Sequence, residues 1–152
     1  MKKIPIIEIN TDEVIKNWNK AQPLRLTTFM NQGNLERYFK SQPKWKVKST
    51  IHSQSMLYDL GVQENYGIYL YVKYKGGFAL SIVAGQGLYC SPKKKTTDYS
   101  SVEVALMKND RFLSAEDAHD ISMQTNLFDR GGICGYCTSR KLKQVKEYVE
   151  SL

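Results

Sequence analysis

The sequence predicts an α+β domain: an antiparallel sheet of four to six strands, helical segments N-terminal to it, and one packed C-terminal helix. Three observations predict it. Residues 66–75 alternate with period two, placing Ile68, Leu70, Val72 and Tyr74 on one side and Tyr69, Tyr71, Lys73 and Lys75 on the other. Gly76-Gly77 offers a two-residue turn into the apolar run 78–83, which completes a hairpin pattern. Residues 138–152 switch to helical spacing, with Leu142, Val145, Val149 and Leu152 on one face. A chain of 152 residues, 41% hydrophobic and 24% charged, suits one globular domain over 1–152 that needs no disulfide staples.

Taken in order, Asn10 or Thr11 can cap a helix over residues 12–22, with Val14, Ile15 and Trp18 as its apolar stripe and Pro23 ending it. Residues 24–32 are ambiguous between strand and helix. A short helix follows, capped by Asn34 and stopped by Pro43, with Leu35, Tyr38 and Phe39 inward. Residues 44–52 alternate again: Trp45, Val47 and Ile51 oppose Lys44, Lys46, Lys48 and His52. Residues 53–65 connect this segment to the hairpin. Gly85-Gln-Gly87 marks a bulge or bend, and Pro92 is expected to hold the following polar loop extended. Residues 101–107 form a strand with Val102, Val104 and Leu106 inward. The connection 108–132 contains a short helix after Ser114, and 131–137 gives a last strand or turn.

The net charge of +7 is concentrated in one part of the chain. Residues 37–95 carry ten Lys and Arg against two acids, so the middle third holds the whole excess. If the two alternating segments share a core, their polar faces coincide. Lys44, Lys46, Lys48, Lys73 and Lys75 then lie beside Tyr69 and Tyr71 on one surface, which Lys93, Lys94 and Lys95 extend. Lysines neutralise phosphates and exposed rings stack on unpaired bases, so the combination suits RNA, single-stranded DNA or a nucleoprotein. Solubility and protection of a sheet edge would produce the same lysines.

Cys134-Gly-Tyr-Cys137 has the spacing of dithiol redox sites and precedes a helix whose dipole favours a thiolate. As a tetrapeptide it resembles the motif of thioredoxin-like disulfide isomerases, but too little chain follows Cys137 for that fold. Adding Cys90 and a histidine gives a conceivable metal set without a second close pair. An odd total of three cysteines, with no export signal in MKKIPIIEINTDE, favours reduced thiols in the cytoplasm. No apolar run reaches the ~18 residues of a membrane span. Hydrolase, metalloprotease and P-loop patterns are absent, so neither a catalytic centre nor a cofactor is expected.

The strand SSVEVALMKNDRF followed by GGICGYCTSRKLKQV resembles an arrangement met in small accessory proteins of phages and prophages. That resemblance implies a protein that binds host macromolecules, including inhibitors of defence nucleases of the anti-CRISPR kind. It transfers no functional residue. The expected function is therefore non-catalytic binding of an anionic macromolecule, or of a host protein, through the basic aromatic face. The alternative is a thiol redox or metal protein centred on Cys134 and Cys137.

Overall fold

The computed structural model describes residues 27–40 and 65–152. The expected helix at 12–22 and the alternating segment at 44–52, with Lys44, Lys46 and Lys48, lie outside the described residues. Within them the chain is an α+β fold. An antiparallel sheet of five strands carries helices that pack on one face.

Helix α1 (Gln32–Lys40) buries Leu35, Tyr38 and Phe39, as its spacing requires. Its cap is Asn31 rather than Asn34. The Asn31 Oδ1 accepts the Asn34 N–H at 2.8 Å and the Asn34 Oδ1 accepts the Asn31 N–H at 2.9 Å. This reciprocal box satisfies two amides of the first turn and moves the helix start back three residues. From that first turn the Gln32 side chain reaches strand β1 (Tyr66–Lys73). Its amide accepts the Tyr69 N–H at 3.1 Å and donates to the Tyr69 carbonyl at 3.2 Å.

Strand β1 pairs with β2 (Phe78–Gly85), and β2 with β3 (Val102–Lys108). The turn between β1 and β2 has three residues, Lys75–Gly77, not the two expected. The Tyr74 N–H donates to the Phe78 carbonyl at 2.8 Å, and both glycines lie at positive φ, 80° and 83°. A Cβ at Gly77 would also meet Asn109 Oδ1 at 2.4 Å, so the Asn109 side chain would have to swing aside. Asn109 belongs to the two-residue turn into β4 (Arg111–Phe112), where Asn109 and Asp110 both take positive φ, as a twisted hairpin demands. The remainder of the 108–132 connection is ordered by helix α2 (Ala115–Gln124), capped by Ser114, and by Asp129, whose Oδ1 accepts the N–H groups of Gly131 and Ile133. Strand β5 (Ile133–Cys137) then pairs with β3 on the side β4 uses, nearer the start of β3.

The main core joins Ile68, Leu70, Val72, Leu80, Ile82, Val104 and Leu106 to the apolar stripes of the helices. Helix α3 (Ser139–Glu150), capped by Thr138, contributes Leu142, Val145 and Val149, whereas Leu152 falls past its end and is exposed. The opposite sheet face is not open either. Tyr71, Ala79, Ala105 and Met107 form a second buried cluster there, with Tyr69 and Ile133 packed against it. No helix among the described residues is long and apolar enough to cross a membrane.

Candidate binding surface at the Cys-Gly-Tyr-Cys bulge

Residues three apart on a regular strand point to opposite faces, so Cys134 and Cys137 should diverge. They do not. Opposite β3, Val104 pairs with Cys134 and Val102 with Cys137, so β5 takes three steps where β3 takes two. The extra residue makes a β-bulge, absorbed at Tyr136, whose φ is 49°. Both thiols consequently turn into the core, 1% and 0% exposed, while the Tyr136 side chain is pushed out to 46% exposure. Left-handed backbone is unfavourable for a residue with a Cβ, so the bulge is held by its surroundings.

Those surroundings form a platform. Tyr89, 57% exposed, sits over Gly135, where a Cβ would come within 3.2 Å of the Tyr89 Cβ. The Tyr136 N–H donates to the Tyr89 carbonyl at 2.8 Å, and the Tyr89 N–H donates to Glu103 Oε1 at 3.1 Å. The two rings lie 6.0 Å apart, tilted by 49°. The Lys93 ammonium stands over both, 5.5 Å from the Tyr89 centroid and 5.4 Å from that of Tyr136. Its pKa is raised, first by hydrogen bonding with the Tyr136 hydroxyl, so it is a cation throughout the physiological range. Lys94 and Lys95 follow, both exposed. Their loop is not the extended segment expected from Pro92. It wraps around the buried Tyr99, whose hydroxyl donates to the Lys94 carbonyl at 2.6 Å and accepts the Thr96 N–H at 3.0 Å.

The β1 half of the expected face is closed by the chain itself. Tyr71 is 4% exposed, and its hydroxyl donates to Asp110 Oδ1 at 2.6 Å. Burial, and then that carboxylate, push its pKa well up. Lys73 pairs with Asp110 Oδ2 at 3.3 Å. Tyr69 is half-buried and held through its backbone by Gln32, and Lys75 begins the turn between β1 and β2. The expectation that Tyr71 and Lys73 face solvent free of the chain's own acids is therefore corrected: the turn Asn109-Asp110 folds an acid onto them. Lys93, Lys94 and Lys95 are open to solvent, as expected. Tyr89 and Tyr136 join them, although alternation gave no reason to pair two tyrosines 47 positions apart.

The thiols below the platform are unequal. Cys137 hydrogen-bonds to Cys134 and lowers the Cys134 pKa, with Lys141 acting in the same sense; the Cys137 pKa is correspondingly raised. Cys90 is buried, its Sγ within 3.3 Å of the Gly85 carbonyl, and burial raises its pKa. No cluster of three or more His, Cys, Asp or Glu side chains fit to hold a metal occurs among the described residues. Comparison of the chain with known protein families, with curated proteins and with solved structures found no match in any of the three.

Proposed function

We propose that this protein is a non-catalytic binding protein that engages single-stranded nucleic acid, free or within a ribonucleoprotein, through Tyr89, Lys93 and Tyr136. One observation carries the reading: two exposed tyrosine rings and an ammonium converge on a strained bulge, and Tyr136 lies at φ 49°. A solvent-exposed ring is not needed for folding. Holding one in left-handed backbone is intelligible where the ring contacts a partner. Bases stack on the outer ring faces, while Lys93, Lys94 and Lys95 take the adjoining phosphates. The tilt between the rings suits bases splayed from a single strand better than a flat duplex end. With its resemblance to small phage accessory proteins, such a protein would act in the host cytoplasm, and inhibition of a nuclease ribonucleoprotein is the form this binding would take.

Fluorescence anisotropy with labelled single-stranded RNA and DNA across a salt series is the test. Affinity should fall with salt, with a slope reduced by about 0.7 in Lys93→Ala. Tyr89→Ala should lose about 1–3 kcal/mol of binding, the usual range for one stacked base. Retention of full affinity by a Tyr89→Ala, Lys93→Ala double variant would overturn the reading.

A further inference from the structure

The geometry points to Cys134 and Cys137 as a reversible disulfide site, oxidised by a low-molecular-weight disulfide such as glutathione disulfide. The bulge supplies the placement. Both thiols face the core on the same side, opposite Val104 and Val102. Two residues of antiparallel strand span about 6.8 Å, and less where the strand is strongly twisted. Cysteines facing such a pair stand near the upper end of the ~4.4–6.8 Å over which a disulfide closes. An unbulged strand would send the sulfurs to opposite faces and forbid the bond.

The chemistry divides the two sulfurs. Cys134, whose thiol the Cys137 hydrogen bond and Lys141 favour as the thiolate, attacks one sulfur of glutathione disulfide. A Cys134–glutathione mixed disulfide forms, and one glutathione leaves and takes up a proton. The Cys137 sulfur, losing its proton, then attacks the Cys134 sulfur and displaces the second glutathione. Two protein thiols are oxidised and one disulfide is reduced to two thiols. At 1% and 0% exposure neither sulfur is open to a large protein partner. A small reagent reaches them when the bulge opens locally, with Gly135 and the outward-facing Tyr136 between the two. Closing the bond pins the four-residue bulge and so holds Tyr136 beside Tyr89. This last consequence rests on the binding reading above; the bond itself does not.

The experiment equilibrates the folded full-length protein with glutathione and glutathione disulfide, quenches with acid, and reads intact mass and peptide maps. The expected product is lighter by two hydrogen atoms and bridged between Cys134 and Cys137, with Cys90 still alkylatable after unfolding. Cys137→Ser should trap glutathione on Cys134, and Cys134→Ser should trap far less on Cys137. The oxidation rate should stay flat in urea too dilute to unfold the protein. A rate that climbs with global unfolding, a bridge through Cys90, or equal trapping by the two variants would overturn the site. Oxidised protein should bind single-stranded RNA several-fold more tightly than reduced. Unchanged or weaker binding would overturn the coupling to the platform, whereas a bridged protein that binds no RNA in either state would sink the binding reading alone.

Discussion

Replacing Tyr136 by alanine and, separately, by glycine divides what its ring does from what its backbone endures. At φ 49° a residue with a Cβ is disfavoured by about 1–2 kcal/mol, a penalty that alanine keeps and glycine sheds. Glycine gives back about 0.5–1 kcal/mol through the greater freedom of its unfolded chain. Tyr136→Gly should therefore exceed Tyr136→Ala in stability by about 1 kcal/mol. Both lose the ring contact with Tyr89, 6.0 Å away and largely in water, which contributes about 0.5 kcal/mol. Relative to the parent, alanine should lower stability by roughly 0.5–1 kcal/mol and glycine should leave it nearly unchanged. In a chain of this size 1 kcal/mol moves Tm by about 2–4 °C, which urea titration and thermal melts both resolve. Anisotropy should show the same loss of single-stranded RNA binding in the two variants. Alanine equal to or more stable than glycine would refute the strained bulge, and RNA binding retained by either would refute the role of the ring.

Other consequences can be measured in the same preparations. Gly135→Ala should press a methyl to 3.2 Å from the Tyr89 Cβ, tilting that ring and weakening RNA binding several-fold, with a stability loss of about 1 kcal/mol by thermal melt. Asp110→Asn should remove the ion pair with Lys73 and leave Tyr71 a neutral acceptor, lowering stability by about 1 kcal/mol and bringing the Tyr71 phenol closer to ordinary titration, as read by phenolate absorbance. Burial raises the Tyr66 pKa to about 12, and burial also pushes the Tyr71 and Tyr74 phenols well up. In the unfolded chain these phenols ionise near ~10. Their contribution is thus intact below about pH 10 and is lost as pH rises through the folded values, so alkaline unfolding should be steep and accompanied by a burst of phenolate absorbance. Tyr66→Phe should soften that transition without loss of stability at neutral pH, because the Tyr66 hydroxyl is buried with no hydrogen-bond partner among the described residues.

Alternation and helical spacing carried much of the architecture. Residues 66–73 and 102–108 declared their inward sides, and Leu142, Val145 and Val149 declared the packed face of α3. Period two assigns a residue to a side of the sheet, however, and says nothing about whether that side is covered. Tyr71 lies where alternation put it, yet Met107, Ala105 and Asp110, brought beside it by β3 and its turn, take it out of water. Such pairings join residues more than thirty positions apart and leave no local trace. The bulge follows the same rule. Cys134-Gly-Tyr-Cys137 is visible as a string, but only its register against Val102 and Val104 turns both sulfurs inward and Tyr136 outward. A glycine inside a short strand was the one available sign. Asn31 is recognisable as a cap from its place three residues before Asn34, one turn ahead of the start that Asn34 itself suggests.

The amide of Gln32 grips both backbone groups of Tyr69 as the peptide of a neighbouring strand would. A second copy of the chain therefore cannot zip onto β1 at that residue without first evicting a side chain that the start of α1 holds in place. Fibril growth and strand exchange through this position begin with two broken hydrogen bonds, and a leucine at 32 would remove the obstacle while leaving the helix itself free to form.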